Sequence, residues 1–171
     1  MLISVKKAIP SQAGIISKLA TETFYETYSW YNTVENMKEY TETHFNPEKT
    51  EEELKESGAH FLVAYANDEV IGYAKMRNVE HPPELQGKKY IEVERIYVLQ
   101  RFQKHKAGYA LIKACMDFAV EQKLNCVWLG VWEKNIRALA FYERVGFKIF
   151  STHVFMLGQD KQVDYLVKID L

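Results

Sequence analysis

Cysteine is scarce in this chain: two among 171 residues, Cys115 and Cys126, in separate predicted elements and outside any CxxC or Cys/His spacing. That scarcity argues against a disulfide framework and a structural metal, and it fits a reducing cytoplasm. Proline and glycine are also few, 4 and 8, while hydrophobic residues make up 47% and charged residues 26%, which excludes collagen-like, low-complexity and disordered chains. Charge of one sign is missing too. With 22 Lys plus Arg against 23 Asp plus Glu the balance is −1, so no basic excess exists to hold nucleic acid or an anionic membrane. Any anion must be bound locally. No run approaches the roughly 18 apolar residues of a membrane span, and the start, MLISVKK, enters a strand pattern directly, so the expectation is a cytoplasmic, unanchored protein. At 171 residues, one domain over 1–171 is expected, large enough to bury a core unaided.

What is present is alternating periodicity. Leu2 to Ala8 reads as a short strand, followed by Pro10 and a Ser11 N-cap for a helix carrying Ile15, Ile16, Leu19, Thr23 and Phe24. Thr33 to His44 reads as a second helix, and the acidic run from Glu48 to Glu56 as one or two solvated helical turns. HFLVAYA and EVIGYAKM, separated by Asn67 and Asp68, form a hairpin, and His81 to Gly87 is the longest loop signal. Tyr90 to Leu99 is a long strand leading through QRFQKHK into a helix with Ala107, Leu111, Ala114 and Phe118 in period. CVWLGVW is apolar on both parities and reads as a buried strand. Asn135 caps a helix that Gly146 ends, and Phe147 to Phe155 and Val163 to Ile169 close the chain as strands around a turn with Gly158. The order predicts an α/β fold with a mixed central sheet.

The chemistry-bearing features are a strand with two carboxylates, a basic loop that opens a helix, and a buried strand leading to an Asn-capped helix with a tyrosine. A helix N-terminus presents unpaired N–H groups and a positive dipole end, so Gln103 to Gly108, with Arg101, Lys104 and Lys106, is a candidate phosphate cradle. These residues resemble the GNAT superfamily of acetyl-CoA-dependent N-acetyltransferases. Its QxxGxG motif matches Gln103 and Gly108, and its NxxAxxFYxxxGF motif matches Asn135, Ala138, Phe141, Tyr142, Gly146 and Phe147 without exception. Lys106 departs from the pattern by standing where the family has its first glycine. The ERIYV and WLGVWEKN segments and the tail His153, Phe155, Gly158, Gln162 and Asp164 are similar to bacterial spermidine/spermine N-acetyltransferases of the PaiA type. The resemblance implies a GNAT fold of about seven strands and about four helices with splayed central parallel strands. It also implies acetyl-CoA as cosubstrate, no metal, and a small amine acceptor, a polyamine in the leading case; a homodimer is compatible with it.

Residue by residue, the resemblance places the pantetheine arm on the backbone of Ile96, Tyr97 and Val98. The phosphates fall to Gln103, Lys104, His105, Lys106, Ala107, Gly108 and Tyr109, with Arg137 and Arg144 as further candidates. Tyr142 would protonate the departing thiolate. Asn135 is either a plain N-cap or a pantetheine ligand, since both uses compete for one oxygen. On strand parity, Glu92, Glu94, Ile96 and Val98 share a face, and Glu94 first, then Glu92, is the candidate base, unless each simply pairs with Arg95 or a lysine. Glu22 and Glu26, with Tyr28 and neighbouring aromatics, are candidate contacts to a polycation. Two other functions remain open: acetylation of a different amine, either a small molecule or a protein amine, and a CoA-binding regulatory module with weak catalysis.

Overall fold

The computed structural model describes residues 1–78 and 82–171, and the side chains of all of these except Phe155 and Leu157. Seven strands form one sheet: β1 (Ile3–Lys7), β2 (Ala59–Ala66), β3 (Glu69–Arg77), β4 (Tyr90–Val98), β5 (Cys126–Trp132), β6 (Lys148–Leu157) and β7 (Asp160–Asp170). Their spatial order is β1-β2-β3-β4-β5-β7-β6, and every neighbouring pair is antiparallel except β4 with β5. The expected Asn67-Asp68 turn joins β2 to β3, with Asn67 at φ 55.

Among the described residues there are five α-helices, α1 (Ala13–Tyr28), α2 (Val34–His44), α3 (Pro47–Lys55), α4 (Ala107–Glu121) and α5 (Ile136–Val145), one more than the sequence count because the acidic run is a full helix. Two local expectations change. Ser11 does not cap α1; residues 10–12 form a 3-10 turn, and Gln12 Oε1 instead accepts the Ile9 N–H at 3.0 Å. The acidic run is not merely solvated, because Glu53 is buried against the sheet. Thr33, read as the first residue of the second helix, is its cap and accepts from the Asn36 N–H; the ends read for α5 hold, with Asn135 Oδ1 accepting from the Ala138 N–H and Gly146 ending the helix at φ 111, a conformation that favours a residue without Cβ. The predicted loop after β3 carries a 3-10 turn at Pro83–Leu85; its first residue, His81, lies outside the described residues.

The sheet is covered on both sides. Ile71, Ile91, Val93, Leu129 and Val131 pack with Leu111, Ile112 and Cys115 of α4 and with Tyr142 of α5. Val63, Tyr73 and Leu99 pack on the other side with Ile16, Leu19 and Phe24 of α1 and with Met37 of α2. Burial of such side chains, at about 25 cal/mol per Å² of apolar surface, is the main force that holds the layers on the sheet.

Candidate active site

The parallel ladder between β4 and β5 lasts only from Tyr90/Cys126 to Glu92/Trp128. Beyond it a cavity of about 400 Å³ lies between the strands, lined by residues 93–98 and 129–132 together with Tyr142, Phe141 and Asn135. Backbone there has no strand to pair with on the β5 side, so its N–H and C=O groups are available to an extended amide-bearing ligand. Gln103 closes one end by donating from Nε2 to the Val98 carbonyl at 3.1 Å.

The basic end of this channel is formed by Lys104, Lys106, Gly108, Tyr109, Arg137 and Arg144. Gly108 and Tyr109 belong to the first turn of α4, whose N–H groups and dipole favour an anion. Lys106 takes φ 64, ψ 11 immediately before that helix, in the left-handed region where glycine is at ease. Three predicted cradle residues fall outside the lining. Ala107 is fully buried, His105 is exposed on the preceding 3-10 turn, and Arg101 is held by Glu22 at 3.2 Å and Glu69 at 3.0 Å. Asn135 spends its side-chain oxygen on the cap, leaving the helix start, not that oxygen, as its contribution.

A second cavity of about 620 Å³ opens on the α1/α2 side of the sheet, lined by Phe24, Tyr40, Glu84, Glu92, Trp128 and Asp164 among others. Five residues line both cavities: Tyr28, Glu94, Arg95, Tyr97 and Gly130. The junction therefore sits where β4 and β5 part. Tyr28 and Tyr97 bring their hydroxyls within 3.5 Å of each other there, and burial pushes both phenols up. Tyr28 also packs against Trp132, with ring centroids 5.3 Å apart.

Strand parity fails at this point for a local reason. The β3/β4 register passes from Met76/Val93 to Lys75/Arg95, so Glu94 is an extra residue, a β-bulge. Glu92 and Glu94 keep the shared face expected of them and line the second cavity, and the bulge brings Arg95 and Tyr97 onto that face, whereas Ile96 joins the opposite core beside Val93 and Val98. The two carboxylates are also paired. Arg77 reaches Glu92 at 2.8 Å and Glu94 at 3.2 Å, and Lys75 reaches Glu94 at 2.7 Å. Glu53 completes the network by holding Lys75 at 3.0 Å and Arg95 at 2.8 and 3.2 Å, which separates two cations that face each other across the β3/β4 ladder. Burial nevertheless pushes the Glu92 carboxyl up, against the pull of Arg77.

Glu22 and Glu26 do not reach either cavity. Glu22 is spent on Arg101 and Glu26 accepts the Gln100 N–H at 2.8 Å, so both brace the turn before α4, and of the predicted acceptor contacts Tyr28 lines the site together with the neighbouring aromatic Phe24. Asp164 is the residue to which the sequence reading gave no role. It lies opposite Trp132 and His153 in the ladders of β7, and a Cβ built on Gly130 would stand 3.1 Å from its Oδ2. Its carboxyl is raised by burial against the opposing influence of His153. Only its inclusion in the dispersed tail motif marked it in the sequence.

The model of the acetyltransferase (GNAT) family matches residues 21–147. The chain belongs to the GNAT family. This GNAT protein is 35% identical over 150 residues to the uncharacterized N-acetyltransferase in the pepI 3′ region of Lactobacillus delbrueckii subsp. lactis, covering 88% of the chain and 87% of the relative. It is 34% identical over 119 residues, 64% of the chain and 70% of the relative, to an N-alpha-acetyltransferase of Sulfurisphaera tokodaii. Its fold is shared with the PaiA N-acetyltransferase of Thermoplasma acidophilum, solved with coenzyme A, at TM-score 0.84 and 20% identity over the whole of both chains. As a GNAT enzyme the chain is an acetyl-CoA-dependent N-acetyltransferase. The channel suits that cosubstrate on its own terms, with unpaired strand backbone along an amide-bearing arm and four cations plus a helix N-terminus at the phosphate end. No helix among the described residues is long and apolar enough to cross a membrane.

Proposed function

We propose that this enzyme acetylates a primary amine bearing more than one positive charge, a polyamine such as spermidine or spermine, by direct transfer from acetyl-CoA. The observation that carries the reading is the charge pattern of the second cavity, which we assign to the amine acceptor. Glu53, Glu92 and Glu94 are matched by Lys75, Arg77 and Arg95, whereas Asp164 and Glu84 have no cation within ion-pair distance among the described residues. Its own backbone N–H, and after it the Ser151 hydroxyl that donates to Glu84 at 2.7 Å, hold the Glu84 carboxyl below the usual range. Two unmatched carboxylates in an aromatic-walled cavity suit two ammonium groups on one flexible chain.

Bound in the channel, acetyl-CoA supplies an acetyl group activated as a thioester. Lys104, Lys106, Arg137 and Arg144 hold its phosphates with the first turn of α4, and the backbone of Ile96, Tyr97 and Val98 orients the arm and polarises the carbonyl. Tyr142 donates the proton that the departing sulfur needs. Burial raises the Tyr142 phenol and keeps it protonated, so it holds the proton to be given up. Glu92 and Glu94, neutralised by Arg77 and Lys75, set the polarity of the cavity wall and can relay a proton through water. No acyl-cysteine is needed; Cys115 and Cys126 are buried and line neither cavity, and burial pushes the Cys115 thiol up to about 12.

A second reading, acetylation of a protein N-terminus, is favoured by the N-alpha-acetyltransferase names of three archaeal relatives. Acetyl-CoA consumption with spermidine, spermine, n-butylamine and a short unblocked peptide separates the two. Spermidine is expected to exceed n-butylamine in kcat/KM at low salt, with the gap narrowing as salt rises. Equal rates for the two amines, or preference for the peptide, would remove the polyamine reading.

A further inference from the structure

The acceptor-side cavity contains four carboxylates that a basic substrate would meet, and they are not equivalent. Glu92 and Glu94 are already neutralised within the ladder of Arg77, Lys75 and Arg95, closed by Glu53 at its buried end. Glu84 is on the short turn at Pro83–Leu85, engaged with Ser151, and lines only the acceptor-side cavity. Asp164 differs in position as well as in charge. Its Oδ2 lies over Gly130, and Gly130 is one of the five residues common to the acceptor cavity and the cofactor channel. Glycine at 130 is what admits the carboxylate: any Cβ there would stand 3.1 Å from Oδ2 and 3.7 Å from Leu166 Cδ2.

We propose that Asp164 meets the reacting ammonium: its carboxylate pairs with the incoming –NH3+ and takes one proton from it, freeing the nitrogen lone pair at the mouth of the cofactor channel. An N–H bond breaks and an O–H bond forms, giving a neutral amine and a neutral carboxylic acid. The nitrogen then bonds the acetyl carbon as the carbon–sulfur bond breaks. The second proton lost by the nitrogen balances the one gained by sulfur, and Asp164 returns the first to solvent through the acceptor cavity. This assignment rests on the amine-acetyltransferase reading and deepens it by moving the base from β4 to β7.

The surroundings suit a proton acceptor. His153 faces Asp164 across the β6/β7 ladder, Trp132 across the β5/β7 ladder, and the negative charge of Asp164 helps raise Tyr28 and Tyr97 at the junction. With no cation committed to it among the described residues, the carboxylate keeps its affinity for an ammonium, and burial, which raises its own basicity, favours proton uptake from that partner. An ammonium with an ordinary pKa near 10.4 is not nucleophilic, so this service is required of some group, and among the described residues Asp164 combines the position with an unmatched charge.

The test compares the wild-type enzyme with Asp164→Asn and Gly130→Ala. Spermidine and n-butylamine binding to the CoA-loaded enzyme is followed by calorimetry, and turnover as kcat/KM against pH. Asp164→Asn is expected to weaken spermidine binding at least tenfold, to lower kcat/KM by about 10² to 10⁴, and to flatten the acid limb of the pH profile, with CoA affinity unchanged. Its melting temperature at neutral pH should rise, because a charge disfavoured by burial has been removed. Gly130→Ala, which displaces the carboxylate and keeps it, should lower kcat/KM in the same direction by a smaller factor, and it carries the test if the Asn variant fails to fold. Wild-type amine affinity, kcat/KM and acid limb in Asp164→Asn would overturn the assignment while leaving the enzyme an amine acetyltransferase. Failure of the wild-type protein to bind or acetylate either amine would overturn the parent reading and this one with it.

Discussion

The two cavities, the channel proposed for the cofactor and the cavity proposed for the acceptor, meet at five residues, yet they are built on opposite plans. The channel is made of unpaired strand backbone, one helix start and residues of two short segments, 103–109 and 135–144. The acceptor cavity draws single side chains from α1, α2, β3, β4, β5, β6, β7 and the turn at Pro83–Leu85. A ligand gripped by backbone demands only that a few residues keep out of its way, which leaves compact local spacing. A ligand gripped by side chains can be met from any element, and the spacing disperses. The difference between the two sites is thus a difference between recognising one fixed molecule and leaving the partner free to vary.

The largest effect that would break this comparison lies behind the acceptor cavity. Glu53→Gln leaves Lys75, only 4% exposed, and Arg95 facing each other without their shared counter-ion. Removing one member of such a buried network typically costs about 3 to 5 kcal/mol, measurable by denaturant unfolding. Exposed i,i+4 pairs such as Lys113–Asp117 should cost only about 0.3 to 0.5 kcal/mol when broken. Acid titration sharpens the point. Arg95 and Lys75 hold the Glu53 carboxyl below its ordinary 4.5 in spite of burial. Its stabilisation is therefore complete above that value and fades as pH falls through the lower, folded-state value. An unfolding free energy insensitive to Glu53→Gln would mean that the cavity wall does not depend on the network.

On the channel side the corresponding strike is Tyr142→Phe. The ring stays packed between Phe141 and Phe147, with centroids 5.1 and 5.5 Å away, so the loss is confined to one proton donor. A fall in kcat of about 10² to 10⁴ with little change in CoA affinity is expected from steady-state kinetics and calorimetry. Wild-type kcat at neutral pH, in a regime where chemistry limits the rate, would free Tyr142 from the role of general acid.

Much of the fold was legible because it rests on period and punctuation. The Asn67-Asp68 turn, the Asn135 cap and the Gly146 stop are local chemistry, and local chemistry is what a sequence displays. The Asn135 oxygen resolved itself the same way, toward the cap. The β4 face was misread because a bulge at Glu94 inserts one residue, and a period of two cannot survive an insertion that only the β3 register reveals. Glu22 and Glu26 were misplaced because their partners, Arg101 and Gln100, are brought to α1 by tertiary folding. The acidic run hid Glu53 for a related reason: nothing local distinguishes the one glutamate that faces Lys75 and Arg95 from those that face water.

A smaller effect tests whether side chains matter in a site described as backbone-built. Lys104→Glu with Lys106→Glu reverses two of the four cations at the phosphate end, while Arg137, Arg144 and the start of α4 remain. CoA affinity should fall about tenfold or more, or at least about 1.4 kcal/mol, with the deficit growing as salt is lowered. Unchanged affinity would place the phosphates elsewhere.

The smallest effect divides backbone from side chain at one residue. Lys106 holds φ 64 where the family motif has glycine, and a left-handed conformation costs an L-residue roughly 1 to 2 kcal/mol, partly offset because glycine loses more entropy on folding. Lys106→Gly should therefore stabilise the ligand-free protein by no more than about 1 kcal/mol, seen as a small rise in melting temperature. The ammonium is lost in the same substitution, so CoA affinity should drop slightly even as the backbone relaxes. If affinity instead rises, the lysine side chain obstructs the phosphates and the glycine of the motif serves close approach. If stability falls, the surrounding turn already accommodates the left-handed lysine without strain. Opposite signs, higher stability with weaker binding, are the outcome expected of a cation placed at a position whose backbone was suited to glycine.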